Sequence, residues 1–315
     1  MKLLIIDSNA LLHRSFHALP PLTDEKGEQT GAVYGFLLTF LKAINDLRPN
    51  FVVATFDTPS PTFRHKKFKK YKAKREKTPS ELCEQIPKIK EILSSLPVPV
   101  FEKVGFEADD IIATITKKTL KEQIHPEIEI YILTGDYDTL QLVDKNTKVY
   151  TLGKGIKETV IFDKKGVVEK FDILPTQMVD FKALAGDPSD NIPGATGIGK
   201  KSAVELLKRF KNLENLYKEI ESGRVKEVKD RIKKILLDQK EQVFFSQLLA
   251  RAREDVPVNF KLKNAKFSVL DEKEVEKYFK KYGFYSLIKR IPELKGEISH
   301  KEEGFIKENR DGKLF

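Results

Sequence analysis

Through the first half of this chain, apolar positions do not alternate with polar ones; they form short unbroken runs, each stopping at a carboxylate or a turn. Leu3 to Ile6 stops at Asp7, Phe51 to Phe56 at Asp57, and Ile128 to Leu133 passes through Thr134 and Gly135 to Asp136. A strand covered by helices on both faces reads this way, because neither face meets water. Gly31 to Leu47, GAVYGFLLTFLKAINDL, lies between the first two runs with apolar residues at helical spacing. Strand, helix, strand predicts a parallel α/β sheet. A weaker strand is expected at Pro97 to Phe101, then a helix opening near Gly105 with an acidic first turn. Lys148 to Leu152 and Thr159 to Phe162 predict a closing pair of strands joined by a Gly-containing turn.

From Gly166 to about Arg253 the period turns helical and stays so. The predicted organisation is an α/β core at 1–165 that includes a basic segment at 61–81, and a helical region at 166–291 with a hairpin at 186–210. Residues 292–315 are charged, lack apolar periodicity, and are expected to be loosely ordered. No period of a solenoid or propeller array is present.

In an open parallel sheet, residues just beyond the carboxyl ends of the strands converge on one crevice. Asp7, Asp57, Asp136 and Asp138 hold such positions, and the helix near Gly105 adds Glu107, Asp109 and Asp110. Glu107 and Asp110 are three apart and share a helical face, with Asp109 on another. A lone Asp after a strand is commonly a turn former or cap. Seven acids aimed at one crevice repel strongly unless protons or cations neutralise them. Oxygen-only donors suit hard ions, so Mg²⁺, with Mn²⁺ as a substitute, is the expected cofactor.

Charge and cysteine content narrow the setting. Lys and Arg number 57 against 47 Asp and Glu among 315 residues, a net of +10, which favours a polyanionic partner such as nucleic acid. Between Arg64 and Lys77 there are nine Lys or Arg, interleaved with Phe68 and Tyr71; basic groups with aromatics suit a phosphate backbone and a stackable base. Cys83 is the single cysteine, which excludes an internal disulfide and a thiolate metal cluster and fits a reducing cytosol. The apolar start is interrupted by Asp7 and Arg14, so neither a spanning helix nor a signal peptide is expected, and the protein reads as cytoplasmic with no membrane partner.

The segment GDPSDNIPGATGIGKKS, Gly186 to Ser202, approaches a nucleotide-binding phosphate loop but carries Lys201 where Ser or Thr belongs, and no strand feeds it. A helix-hairpin-helix fits better: Gly197-Ile198-Gly199 would offer backbone N–H groups and a helix amino end to one DNA phosphate, with Lys200 and Lys201 adding charge.

Taken together, LLIIDSNALLHRSFHAL, ATFD, FRHKKFKKYKAKR, GFEADD, LTGDYDTLQL and GDPSDNIPGATGIGKKSA resemble the 5′ nuclease family of bacterial DNA polymerase I and the flap endonucleases, over residues 1 to about 290. The resemblance implies a PIN-like core, a mostly parallel sheet flanked by helices, with a helical arch and a carboxyl-terminal helix-hairpin-helix region. It implies a two-metal, Mg²⁺-dependent 5′-3′ exonuclease and 5′-flap endonuclease, serving Okazaki-fragment processing and repair. One metal group would comprise Asp7, Asp57, Glu107, Asp109 and Asp110; the other Asp136, Asp138, Asp187 and Asp190. Lys72 and Arg75 would approach the scissile phosphate as the catalytic basic residues, Tyr71 would stack on a base, and Arg64 would be a further DNA contact. The resemblance further implies a monomer at the bacterial nucleoid, DNA with a free 5′ end or 5′ flap as partner, room for an RNA primer, and room for a monovalent cation at the hairpin. Tyr137 departs from the pattern, standing where a Lys often separates the paired aspartates. A non-catalytic branched-DNA binder with the same fold is the alternative; clustered acids beside phosphates argue against it.

Overall fold

The computed structural model describes residues 1–121, 127–153, 158–223, 227–267 and 271–295. Strands β1 (Lys2–Asp7), β2 (Phe51–Phe56), β3 (Val100–Glu102), β4 (Glu129–Leu133), β5 (Thr147–Leu152) and β6 (Thr159–Phe162) form one sheet in the order β3-β2-β1-β4-β5-β6. The first five pair in parallel and β6 closes the edge antiparallel to β5. The weak strand thus begins later than its apolar run, because Val98 folds back on Leu96 before pairing starts at Val100. The chain runs outward from β1 through β2 to β3, then crosses to β4 on the other side of β1. That reversal opens a crevice beyond the carboxyl ends of β1 and β4.

Along β1, Leu3 and Ile5 face one core and Leu4 and Ile6 the other, all fully buried. One layer holds α1 (Ser8–Ala18), α2 (Gly31–Leu47), α4 (Ser80–Cys83) and α5 (Gln85–Ser94), preceded by the short α3 (Phe63–Lys67) in the basic segment. Helix α2 is apolar almost all round, so it is buried along most of its length. Opposite lie α6 (Ala108–Lys121) and the helical region: α7 (Lys164–Phe171), α8 (Met178–Ala185), α9 (Lys200–Phe210), α10 (Leu213–Glu221), α11 (Asp230–Asp238) and α12 (Lys240–Ala250).

The carboxyl-terminal segment departs from the expected division. Helices α13 (Glu272–Lys281) and α14 (Tyr285–Ile288) leave the helical region and join the α2 layer, where Val275, Phe279, Phe284 and Leu287 are buried. Tyr34 packs on Phe284 with ring centroids 5.7 Å apart, and its hydroxyl lies 3.1 Å from Ser286 Oγ. Of the tail expected to be loose from 292, residues 292–295 are instead ordered in the 3₁₀ turn Ile291–Lys295 with Leu294 buried, and 296–315 lie outside the described residues. Among the described residues, no helix is long and apolar enough to cross a membrane.

Candidate metal centre and nucleic-acid interface

Strand ends deliver the carboxylates. Asp7 ends β1 and caps α1: its Oδ1 accepts the Ala10 N–H at 3.1 Å, while Oδ2 accepts the Thr134 hydroxyl at 2.7 Å. Asp57 follows β2 and accepts the Ala108 N–H at 2.7 Å, tying the start of α6 to the sheet. Asp136 follows β4 and caps the short 3₁₀ helix at Tyr137–Leu142 by accepting the Asp138 N–H. These elements enclose a cleft of about 740 Å³, lined by Asp7, Asp57, Glu107, Asp109 and Asp136. Carboxylate oxygens of Asp109, Asp136 and Asp138 lie within 4.8 Å of one another and could hold a metal ion. The all-oxygen donor set fits a hard divalent ion.

Crowding shows in the electrostatics. Burial, reinforced by Asp57 and Asp136, pushes the Asp7 carboxyl up to about 7 against the Thr134 hydrogen bond. Burial also raises Asp138 to about 7, with Asp136 and Asp190 adding to it and Lys182 opposing. Asp109 is raised well above the carboxylate range by burial and by Asp136, Asp7 and Asp138. Asp57, at the mouth, is pushed up by desolvation against the cleft wall. Such a group of unwilling anions favours an incoming cation.

Asp187 and Asp190 flank a tight loop closed by paired N–H···O bonds between Asp187 and Ile192. Lys182, which the sequence pattern did not single out, stands between Asp138 and Asp187, donating to both. Burial works against its ammonium, but those two carboxylates outweigh it and hold its pKa above the usual value. Burial likewise opposes ionisation of Asp187, yet Lys182 and Ser189 keep it below the usual range.

The basic segment lies across the cleft as a strap. The segment is not the helical arch that the resemblance implies: between α3 and α4, residues 69–75 run as turns and 76–79 as irregular chain, and the Lys72 N–H donates to the Asp190 carbonyl at 2.9 Å. Lys72 adopts φ +54°, uncommon for a long side chain, and its ammonium lies 3.0 Å from Glu107. Arg75 pairs with Asp190 and donates to the Ser189 carbonyl at 3.3 Å. Both cations therefore face the cleft.

Four expected residues sit differently. Tyr71 offers no face for a base: it is 3% exposed, and its hydroxyl lies between Glu107 at 3.0 Å and Asp190 at 2.8 Å, with one proton to give to the pair. Arg64 is buried rather than turned toward DNA, because Asp110 holds its guanidinium through two 2.8 Å bonds. Asp110 accordingly points away from the cleft, while Asp109, on the other face of the turn, reaches it. At the hairpin, Ile198 is 4% exposed and packs into the core, so only its backbone can face a phosphate.

The remaining hairpin residues suit an anion. Gly197 has φ +99° and Gly199 has open space around its missing side chain. Helix α9 starts at Lys200 with no side-chain cap, leaving its first N–H groups to a ligand beside exposed Lys200 and Lys201. Gly194 touches Gly186 so closely that a Cβ there would fall 2.2 Å from the Gly186 nitrogen. Tyr137 is braced by Phe162 and Phe171, with the Lys170 ammonium of α7 2.6 Å from its hydroxyl.

Residues 2–172 match the 5′-3′ exonuclease, N-terminal resolvase-like domain, and residues 173–273 the 5′-3′ exonuclease, C-terminal SAM fold. Among curated relatives, DNA polymerase I of Bacillus subtilis (strain 168) is 37% identical over 296 residues, 94% of this chain and 33% of the relative. DNA polymerase I of Treponema pallidum (strain Nichols) is 38% identical over 298 residues, 94% of this chain and 29% of the relative. The chain thus spans about a third of the length of these relatives. Among solved structures, a variant of the bacteriophage T5 flap endonuclease, in a pseudo-enzyme-product complex with DNA and metal ions, superposes with a TM-score of 0.64 at 19% identity, covering 79% of this chain and 89% of that one. The catalytic core of Rad2 in complex with DNA substrate (complex II) gives 0.59 at 18% identity, covering 93% and 90%. At these identities the likeness is one of fold.

Proposed function

Since the chain belongs to the 5′-3′ exonuclease family, spanning both of its domains, we propose that it is a Mg²⁺-dependent 5′-3′ exonuclease and 5′-flap endonuclease acting on DNA. The observation that carries this reading is the meeting of Asp109, Asp136 and Asp138 within 4.8 Å, beside Asp7 and Asp57, under a strap bearing Lys72 and Arg75. Asp7, Asp57, Glu107 and Asp109 would hold one ion, and Asp136, Asp138, Asp187 and Asp190 a second. Divalent ions held there supply Lewis acidity and offset charge on a phosphodiester undergoing in-line displacement by water.

The protein's own groups do the rest. Thr134 and the Ala10 N–H fix both oxygens of Asp7, so that ligand is positioned before any ion arrives. Lys72 and Arg75, released from Glu107 and Asp190, bring positive charge to the reacting phosphate. The free N–H groups at the start of α9 bind a phosphate of the duplex and set the distance to the cleft. The reading extends to a monomer serving Okazaki-fragment processing and repair at the nucleoid, accepting a 5′ DNA end or an RNA primer.

The test is a labelled 5′-flap DNA incubated with Mg²⁺, using wild type and Asp136→Ala with Asp187→Ala. Wild-type cleavage, abolished in the variant with flap binding retained, is the expected result. Flap binding without wild-type cleavage would instead favour the non-catalytic branched-DNA binder.

A further inference from the structure

Arg64 and Asp110 are saturated by one another, by Glu107 and by the stretch from Leu249 to Arg253. The Arg64 Nε donates to the Leu249 carbonyl at 2.8 Å. Nη1 donates to Asp110 Oδ2 at 2.8 Å and to Glu107 Oε2 at 3.3 Å; Nη2 donates to Asp110 Oδ1 at 2.8 Å and to the Arg251 carbonyl at 2.9 Å. Five N–H groups thus meet five acceptors, the full capacity of a guanidinium. Asp110 is equally occupied: Oδ1 also accepts the Arg253 N–H at 2.8 Å, and Oδ2 the Glu107 N–H at 3.0 Å. Two donors on each oxygen fill the roughly four lone-pair sites of a carboxylate, and Asp110 has no exposed surface.

We propose that Arg64 and Asp110 are a positioning pair, neither a DNA contact nor a metal ligand, which locks the root of the strap to the start of α6 and to the exit of α12. The proposal rests on the nuclease reading for its consequence in cleavage, though not for the pairing itself. Through this pair Arg64 steadies the Glu107 carboxylate, and Glu107 in turn holds Lys72 and the Tyr71 hydroxyl. Helix α12 packs against α8, which carries Lys182 and leads into Asp187. The pair therefore joins the strap, both groups of carboxylates and the support of the hairpin at one point. Its geometry demands a planar fork, which a lysine does not provide.

The experiment compares Arg64→Lys, Arg64→Gln, Asp110→Asn and Asp109→Asn. Titration with Mn²⁺ alone is expected to give Asp110→Asn the wild-type stoichiometry, while Asp109→Asn loses an ion or binds at least tenfold more weakly. Single-turnover cleavage at saturating 5′-flap DNA is expected to fall tenfold or more, and alike, in Arg64→Lys and Arg64→Gln. The salt dependence of flap binding is expected to keep its wild-type slope in both. Loss of an ion in Asp110→Asn overturns the proposal. So does full activity in Arg64→Lys together with a slope reduced by about one in Arg64→Gln, the mark of a lost phosphate contact. If Asp110→Asn folds poorly, the Arg64→Gln, Asp110→Asn double variant, which leaves no lone buried charge, serves for the Mn²⁺ titration. That double variant is expected to lose no more melting temperature than the worse single variant, and additive losses overturn the pairing. This last measurement needs neither metal nor cleavage, so it judges the pair even if the nuclease reading fails.

Discussion

Lys182 sets its ammonium 2.7 Å from Asp187 and in contact with Asp138, bridging two carboxylates that come from separate parts of the fold. A part-buried cation is thus already part of the acidic cleft, and a divalent ion at Asp138 and Asp187 would compete with it for those carboxylates.

Replacing Lys182 by Met is therefore expected to act in opposite directions with and without metal. In EDTA the variant leaves the part-buried Asp138 and the buried Asp187 without their counter-ion, and a loss of about 1–3 kcal/mol is expected. With Mn²⁺ the deficit shrinks, and the ion binds more tightly than to wild type. Denaturant melts in EDTA and in Mn²⁺, with a calorimetric titration, check both halves; an equal deficit in the two conditions contradicts the account.

The pH dependence has a definite sign. Asp7 and Asp138 are held at about 7 in the fold against an ordinary 3.8, so between those values the folded state binds more protons than the unfolded one. Stability of the metal-free protein accordingly decreases as pH rises from about 4 through 7. Divalent ions need the deprotonated carboxylates, so the rise in melting temperature on adding Mg²⁺ is expected to be larger at about pH 8 than at about pH 5.5. Thermal melts at the two pH values, in EDTA and in Mg²⁺, decide it.

Tyr71→Phe removes the hydroxyl that joins Glu107 to Asp190 while keeping the ring. The one proton shared between the two carboxylates goes, and about 1.5–3 kcal/mol of stability is expected to go with that charge-assisted bond. The strap then opens more often, and trypsin should cut among the exposed Lys and Arg of 66–77 several-fold faster than in wild type. Unchanged cleavage at these sites would mean the strap is held by other contacts.

Gly194→Ala tests the hairpin. Gly194 has φ +63°, and a Cβ there would meet the Gly186 backbone. Relief requires the loop carrying Asp187 and Asp190 to move away from the start of α9. A loss of at least about 1–3 kcal/mol is expected, with weaker binding of duplex DNA measured by fluorescence anisotropy.

Much of this was legible because it depends on local pattern. Unbroken runs such as Leu3 to Ile6 identify two-sided burial, and the sheet's reversal point turns the residues just after those runs into neighbours. What was hidden depends on which partner a side chain meets. Asp109 and Asp110 are adjacent in a first turn, and nothing in the spacing says that Arg64 will claim Asp110 and leave Asp109 to the cleft. Lys182 lies in an ordinary helical stretch, where no pattern marks it as a lysine facing two acids. Tyr71 looks like a base-stacking aromatic among lysines, yet its hydroxyl finds two carboxylates and the ring is buried. The return of 272–295 to the α2 layer was equally invisible, since the amphipathic period of α13 does not say which layer it covers.

That return determines where the protein can be divided. The matched domains end at residue 273, but beyond it Phe284 packs on Tyr34 and, with Phe279, belongs to the same buried cluster as Phe36 and Phe40. A fragment trimmed at the domain boundary would lay those rings open to water and self-associate, so the working unit has to be kept at least through Leu294.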